Sequence, residues 1–227
     1  MTARLLLLVI AGAATLAACG SSGPPPDPRA ELTTAKAKVD AASALHFALS
    51  SENAGGSDVY VNGGDGDAAR PDGFSGNFDV YYKVGIVKVG VASSGGTFYV
   101  KLPFGGGFSK ADPSQYGFSD PGGLLNPTTG LSSLLVKAKT ATADGQDRFN
   151  GEQLDEVKVT LPGDLVQHLL TSADPSKDVD GEVGIAPGGE VRRVKLTGPF
   201  FAKGKLATYT VVLTGYGEHV TITPPPT

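Results

Sequence analysis

The chain contains no tryptophan, one cysteine, one methionine and three histidines among its 227 residues. One cysteine excludes a disulfide within this chain and any metal site built from clustered cysteines. Only 19% of the residues are charged, and Lys plus Arg (19) are fewer than Asp plus Glu (23). The formal net charge of −4 argues against nucleic acid as a general partner. The role of the one cysteine is therefore the first question.

The bulk composition is that of one folded domain. Apolar residues make up 40% of the chain, which is too many for a disordered protein. No apolar run reaches the roughly twenty residues of a membrane-spanning helix. Glycine (32) and proline (16) together make about a fifth of the residues, which indicates many tight turns but not low-complexity sequence.

The cysteine follows a short apolar segment. Residues 5–16 form an apolar run of twelve residues, and the run leads into Leu16-Ala17-Ala18-Cys19-Gly20. A run of this length is typical of a signal-peptide core. The residues around Cys19 resemble a bacterial lipobox, in which the thiol receives a diacylglycerol and becomes the first residue of the mature chain. We expect a signal peptide over 1–18 and a lipidated Cys19 with a tether over 19–28. The alternative is ordinary secretory cleavage with an incidental cysteine.

Hydrophobic periodicity predicts a single α+β domain over residues 29–227. Steps of three and four residues predict a helix over 29–44, and shorter helices are predicted around 131–135 and over 164–170. Alternation predicts a strand at 46–49, a meander of three over 78–102, a hairpin over 140–161 around Asn150-Gly151, and strands between 179 and 213 and at 220–223. Residues 51–76 are predicted to be mainly loop, with a possible strand at 59–61. The total is about nine strands, mostly antiparallel, and three helices.

No motif indicates catalysis or metal binding. The histidines His46, His168 and His219 are isolated from one another, and no Gly-x-Ser-x-Gly occurs. The segment 63–67 (GGDGD) matches half of a calcium motif, but the pattern fails by Ala69, so we interpret it as a solvated turn. The sequence therefore predicts a protein that is not an enzyme and has no cofactor or metal ion.

The predicted sheet is broad and the predicted helices are short. About nine half-apolar strands need cover on their inner face, yet the longest helix carries mostly alanine on its apolar stripe. Such a sheet either has a filled core or encloses an apolar cavity. Composition leaves both possibilities open.

Four segments resemble the mycobacterial LppX/LprA/LprF/LprG lipoproteins, with order and spacing most similar to LprG and LprA. They are residues 120–135 (DPGGLLNPTTGLSSLL), 147–151 (DRFNG), 44–47 (ALHF) and 216–222 (YGEHVTI). The resemblance implies an antiparallel β half-barrel with helices on its concave face around an apolar cavity that accepts acyl chains. Two positions depart from the family pattern: Tyr216 stands in the place of a tryptophan, and residues 182–185 (EVGI) replace a Val-Trp-Ile strand.

The resemblance also places the strand that begins at Gly76 on the cavity wall. The side chains expected to face the cavity are Phe78, Val80, Tyr82, Val87, Val89, Val91, Phe98, Val100, Leu131, Leu134 and Leu135, with ordinary core packing as the alternative for each. Basic side chains could meet a lipid phosphate at the cavity mouth. The candidates are Arg192, Arg193, Lys195, Lys203 and Lys205, and a solvated strand face is the alternative.

The resulting functional hypothesis is a lipid carrier without catalysis. It would be anchored to the cell membrane on the extracytoplasmic face and would carry triacylated glycolipid or triacylglycerol across the cell envelope. Its expected partners are the acylated lipid, the membrane and a membrane lipid exporter, the last implied by the resemblance. The main alternative is a structural or signalling lipoprotein with a filled core. An envelope hydrolase is disfavoured by the missing nucleophile motif.

Overall fold

The computed structural model describes residues 27–57, 59–83, 85–201 and 204–226. The predicted signal peptide, Cys19 and most of the tether lie outside the described residues, as does Lys203. The described residues form eleven strands, three α-helices and two short 3₁₀ helices. No helix in these ranges is long and apolar enough to cross a membrane.

The eleven strands form one open antiparallel sheet. The strands are β1 (Ala44–Glu52), β2 (Val59–Ala69), β3 (Gly73–Tyr82), β4 (Gly85–Ser94), β5 (Thr97–Lys101), β6 (Ser109–Lys110), β7 (Thr140–Phe149), β8 (Glu152–Leu161), β9 (Val179–Ile185), β10 (Val191–Gly198) and β11 (Ala207–Thr214). Their spatial order is β6-β5-β4-β3-β2-β1-β11-β10-β9-β8-β7. Two meanders, β1–β6 and β7–β11, are joined by pairing of β1 with β11. The predicted antiparallel fold is confirmed.

The helices are α1 (Pro28–Ala41), α2 (Leu131–Val136) and α3 (Gly163–Gln167). The carboxylate of Asp27 accepts a hydrogen bond from the Arg29 amide at 3.1 Å and Pro28 occupies the first turn, so α1 begins where the chain supplies a cap. Its buried face consists of Leu32, Ala35 and Val39. The predicted end at residue 44 is wrong, because the backbone is already extended at Ala42 and β1 begins two residues later.

The largest correction concerns residues 51–76. Most of this segment, predicted to be loop, forms β2 and the start of β3, and the predicted turn at 63–67 lies inside β2. The reason is long-range packing. A Cβ on Gly66 would lie 2.3 Å from the Ser75 carbonyl oxygen and 3.1 Å from the Phe47 ring, and one on Gly64 would lie 2.6 Å from the Phe78 ring. Rings from the neighbouring strands thus lie over the glycines of β2, which have no side chains of their own to bury.

Three phenylalanine rings fill that space. Phe47 stacks on Phe74 with ring centroids 5.3 Å apart, and on Phe78 at 6.0 Å. Phe74 and Phe78 are themselves stacked at 6.1 Å. The glycines of β2 therefore allow a compact aromatic cluster to lie directly on the sheet.

Two smaller outcomes complete the comparison for the strands. The hairpin at Asn150-Gly151 is confirmed, with φ of 49° and 85° at the two residues, as a type I′ turn requires. The strand predicted at 220–223 is wrong, since these residues form no ladder. Instead, Ile222 packs against Gly73, and a Cβ on Gly73 would lie 3.1 Å from the Ile222 Cβ.

Candidate functional site

An apolar cavity of about 240 Å³ lies between the sheet and the short helices. Its floor comes from strands at the centre of the sheet, including Phe47 and Leu49 of β1, Phe74 and Phe78 of β3, Leu196 of β10, and Val211 and Leu213 of β11. Its cover comes from three segments outside the sheet, through Phe118, Pro121, Leu124, Leu125, Leu131, Leu134, Val166, Leu169, Leu170, Phe200 and Phe201. Polar groups on the wall are few: Ser119, Asp120 and Tyr209. Such a space suits apolar chains.

The cover over residues 118–136 is held by local capping. The 3₁₀ helix Pro121–Leu125 begins at Asp120, whose carboxylate accepts a hydrogen bond from the Gly122 amide at 2.9 Å. The Asn126 side chain then accepts hydrogen bonds from the amides of Thr128 and Thr129 at 2.9 and 3.2 Å. These short-range bonds let a segment rich in Gly, Pro and Asn cross the sheet without a ladder of its own.

Helix α1 fixes α2 in place through a partly buried polar cluster. The Ser132 hydroxyl donates to Asp40 at 2.6 Å, and Lys36 is hydrogen-bonded to Asp40 and donates to the Pro127 carbonyl at 2.9 Å. Burial raises the pKa of Asp40, but the hydrogen bonds from Lys36 and Ser132 outweigh it, so the carboxyl titrates below its ordinary range. The cover is therefore tied to α1 by charge as well as by packing.

Tyr209 is the polar exception in the cavity floor. Its hydroxyl donates to the Val61 carbonyl oxygen at 2.6 Å, next to the irregularity in the pairing of β2 with β3. Burial raises the pKa of this phenol. The hydroxyl thus satisfies a strand carbonyl and turns the ring towards the cavity.

A second, much smaller cavity adjoins the first. It measures about 30 Å³ and is lined by Val80 of β3, Val89 of β4, Phe98 and Val100 of β5, and Tyr116. Val61, Phe78, Val91 and Phe118 line both cavities. The apolar space therefore continues from the centre of the sheet towards the β3–β4 turn.

The predicted cavity residues divide into three groups. Phe78, Val91, Leu131 and Leu134 line the main cavity, and Val80, Val89, Phe98 and Val100 line the small one. Tyr82, Val87 and Leu135 line neither, contrary to the expectation for them. Tyr82 is 51% exposed at the end of β3, past the helical cover. Leu135 is buried elsewhere, since it lies about 100° around α2 from Leu134.

Sequence reasoning missed the second meander's share of the wall. Leu196, Tyr209, Val211 and Leu213 line the main cavity, as do Phe47 and Leu49 from β1. The period-two pattern in β11 was the available signal, because Tyr209, Val211 and Leu213 share one face. What the pattern alone does not reveal is which strands lie beside β1.

The head-group prediction for Arg192, Arg193 and Lys195 is not supported. Arg192 donates to Glu152 at 2.8 Å, and Arg193 donates to Asp147 at 2.9 Å and to Glu156 at 2.7 Å. Lys195 lies 3.9 Å from Glu182 on the sheet face opposite to its neighbour Leu196, which lines the cavity.

Lys195 lies on the face opposite the cavity because successive side chains of a strand alternate between the two faces of the sheet. Lys205 is exposed in the loop before β11. Among the head-group candidates that the structure describes, it is the one that does not lie in a strand.

Tyr216, the residue that departs from the family pattern, makes a specific contact. Its hydroxyl donates to the Val191 carbonyl at 2.8 Å, and the Arg192 guanidinium lies 5.8 Å from its ring centroid. Burial raises the pKa of the phenol. Tyr216 therefore packs at the end of β10 and not in the cavity.

The fold and the site together define a class of protein: an open antiparallel sheet whose short helices cover an apolar cavity. Within the described ranges, no group of three or more His, Cys, Asp or Glu is placed to hold a metal ion. The chain belongs to the LppX_LprAFG lipoprotein family, whose model matches residues 27–222. The family is one of lipoproteins and not of enzymes, in agreement with the sequence prediction.

Individual relatives agree with this membership. The chain is 28% identical over 235 residues to the lipoarabinomannan carrier protein LprG of Mycolicibacterium smegmatis, an alignment covering 97% of this chain and 94% of that protein. Its fold is similar to the crystal structure of LprF from Mycobacterium bovis (TM-score 0.70, 19% identity, covering 88% of this chain and 98% of that one). It is also similar to LppX from Mycobacterium tuberculosis (TM-score 0.61, 18% identity, 87% and 100% covered).

Proposed function

We propose that the protein binds the acyl chains of a lipid or glycolipid in the main cavity and carries them between membranes. The observation that supports this most directly is the cavity itself, which has nearly all-apolar walls and about 240 Å³ of space. A structural lipoprotein with a filled core would have no use for such a space. The relative from M. smegmatis is named a lipoarabinomannan carrier, which makes an acylated glycolipid the cargo class we propose.

The energetics are sufficient without chemistry. Moving one CH₂ group out of water gains about 0.8 kcal/mol, so a sixteen-carbon chain gains on the order of 10 kcal/mol before the cost of ordering it. A polar head group would stay outside, because the cavity wall offers few hydrogen-bonding partners. Uptake and release then depend on access and not on a reaction.

The cavity volume indicates how much chain fits without rearrangement. An apolar cavity of about 150 Å³ accommodates benzene, and by the same ratio 240 Å³ holds about ten carbon atoms. A longer chain must extend into the adjoining small cavity or displace the cover. The segment over residues 118–125 is the part best suited to move, since it has few backbone bonds to the sheet and precedes the part of the cover that α1 holds.

Anchoring and delivery belong to the same proposal. A diacylglycerol on Cys19 would hold the protein on the extracytoplasmic face of the cell membrane, with residues 1–18 removed as a signal peptide. A membrane lipid exporter is the partner we propose for passing the cargo on. Replacing Cys19 by serine should release the protein from the membrane fraction and abolish labelling with radioactive palmitate.

The cavity is tested by a matched pair of substitutions on β11. Val211 lines the cavity, whereas Val212 is the next residue along the strand and is not on its wall. In the chain carrying Cys19→Ser, Val211→Trp should fill the cavity and lower the affinity for acylated glycolipid at least tenfold, while Val212→Trp should leave it unchanged. Binding is measured by titration, and co-purified lipids are identified by mass spectrometry of solvent extracts.

Circular dichroism establishes whether both variants fold. Equal binding by the two folded variants would contradict the assignment of the cavity. A wild-type protein that releases no lipid and binds no added acylated glycolipid would overturn the proposed function.

A further inference from the structure

Five large apolar side chains are exposed at one end of the sheet. They are Tyr82 (51% exposed), Ile86 (57%), Leu102 (48%), Phe104 (97%) and Leu206 (59%). We call this group the apolar tip. Single exposed apolar residues are ordinary on protein surfaces, but a cluster of this kind marks an interaction site.

Strand register places the five at the same end of the sheet. Tyr82 and Ile86 flank the β3–β4 turn, where Tyr82 pairs with Gly85. Strand β5 runs antiparallel to β4 and so leads the chain from Lys101 towards the same turn, which puts Leu102 and Phe104 at this end. Leu206 precedes β11, whose first residues pair with the end of β1, again at the same end.

The apolar tip presents side chains on both faces of the sheet. Tyr82 follows Phe78 and Val80, which line the cavities, at steps of two residues, so it shares their face. Ile86 pairs with Tyr81, which stacks on Tyr60 at 4.9 Å on the other face. A protein partner needs a pocket shaped to both faces of the sheet end, whereas a fluid apolar medium surrounds both without one. This arrangement therefore favours a bilayer over a protein surface.

Lysine side chains lie beside the apolar tip. The Lys83 amine lies 5.3 Å from the Tyr82 ring centroid, and Lys88 is exposed and paired with Asp79. Neither Lys83 nor Lys101 forms an ion pair with another described residue. Tyrosine rings with adjacent lysines are typical of protein segments that enter the head-group region, where lysine meets anionic lipid.

The apolar tip is also continuous with the cavities. Val59 and Val80 line the small cavity one or two residues from the tip, and Val61 and Phe78 connect that cavity to the main one.

Helix α1 begins at the same end of the sheet as the apolar tip. Arg29 in its first turn donates to the carbonyl of Lys139, the residue before β7. The eight residue steps from Cys19 to Asp27 reach at most about 28 Å.

We propose that the apolar tip inserts into the surface of a lipid bilayer containing anionic lipids, so that an acyl chain passes between bilayer and cavity without crossing water. The route for the chain rests on the proposed function, whereas the insertion does not. Tyr82, Ile86 and Phe104 enter the interface, and Lys83 and Lys101 contact lipid phosphates. The bilayer is the occupant of this surface.

Fluorescence tests the insertion directly, since the chain has no tryptophan of its own. Phe104→Trp places a probe in the tip, and Phe149→Trp places a control probe at the β7–β8 turn, at the opposite end of the sheet, where the side chain is half-buried against Arg193. Both are made in the full chain carrying Cys19→Ser and mixed with phosphatidylcholine vesicles with or without phosphatidylglycerol. We expect a blue shift of Trp emission for Phe104→Trp with the anionic vesicles and none for Phe149→Trp. Equal shifts for both probes, or none for either, would overturn the insertion.

A second variant keeps this test separate from the proposed function. The double substitution Phe104→Ser and Leu206→Ser should reduce flotation with anionic vesicles at least tenfold, while binding of acylated glycolipid in solution stays unchanged. Undiminished flotation of this variant would contradict the tip as the contact surface, even if the cavity binds lipid. If the protein without these two substitutions fails to bind lipid in solution, that result would instead count against the proposed function alone.

Discussion

The buried carboxylate of Glu156 shows how single residues of the outer sheet face are held. Glu156 is 7% exposed, and its charge is compensated by Arg193 at 2.7 Å. Burial raises the pKa of Glu156, and Arg193 offsets that effect only in part. A carboxyl whose folded-state pKa is raised favours folding at pH below its ordinary value of 4.5, and this contribution is lost as the pH rises through the folded pKa.

Removing the arginine should make this pH dependence larger. Arg193→Met leaves Glu156 buried without its cation, so its pKa rises further and the free energy of unfolding at pH 7 falls by about 3 kcal/mol. The loss should be smaller near pH 4, where Glu156 is protonated in both states. Urea unfolding at the two pH values measures it.

The matched control is Arg192→Met, because its partner Glu152 is more exposed. We expect a loss of about 1 kcal/mol or less from the ion pair, nearly independent of pH. A loss in Arg193→Met that is the same at both pH values would show that Glu156 does not depend on the arginine for its charged form.

At the scale of elements, β2 is the strand whose formation depends most on its neighbours. Its glycines leave room for Phe47 and Phe78, and a Cβ on Gly66 would lie 2.3 Å from the Ser75 carbonyl oxygen. The clash would be between a side-chain atom and a backbone atom, so it could be relieved only if β2 and β3 moved apart. The aromatic cluster and the cavity floor beside it depend on the same separation.

Gly66→Ala should therefore lower the free energy of unfolding by at least about 2 kcal/mol. Gly85→Ala is the matched control, because it lies in the same meander and a Cβ there meets nothing within 4 Å. We expect it to change stability by less than about 1 kcal/mol. Chemical denaturation measures both, and similar effects in the two variants would contradict the close-packing explanation.

The same strand shows where the sequence was sufficient and where it was not. Local signals predicted α1 through its periodicity, and the β7–β8 hairpin through Asn150-Gly151. The meander from β3 to β5 followed from alternation. Strand β2 did not, because its glycines are explained by rings on the neighbouring strands. Phe47 lies 19 residues before Gly66, and Phe78 lies 14 residues after Gly64.

The site was predictable only in outline for a related reason. Alternation indicated an apolar face for each strand, and the family resemblance assigned that face to the cavity wall, which placed Phe78 and Val91 there. It did not reveal that β11 pairs with β1, and so Val211 and Leu213 were missed. The same rule, applied along β10, would have put Lys195 on the outer face opposite Leu196.

At the scale of the whole molecule, an empty cavity lowers stability. At about 24 cal/mol per Å³ of empty space, a volume of 240 Å³ corresponds to about 6 kcal/mol. A bound acyl chain recovers part of this as packing. Under the proposed function, the lipid would in this sense be a component of the hydrophobic core that the chain does not encode.

Cargo should consequently raise the melting temperature. At a free ligand concentration of 100 times the dissociation constant, the gain is about 2.7 kcal/mol, which for a domain of this size corresponds to about 5–10 °C. Scanning calorimetry of delipidated and lipid-saturated protein measures it. Val211→Trp, with its cavity filled, should show a much smaller rise, and an equal rise in both proteins would contradict binding at this site.

The pairing of β1 with β11 has a consequence for the order of events during folding. Each meander can form from neighbouring hairpins, but this one ladder joins strands more than 150 residues apart in the chain. The cavity takes its floor from both meanders, so it comes into existence only when that junction closes. Under the proposed function, the chain must therefore complete its least local contact before it can receive cargo, and a half-joined molecule cannot compete for lipid.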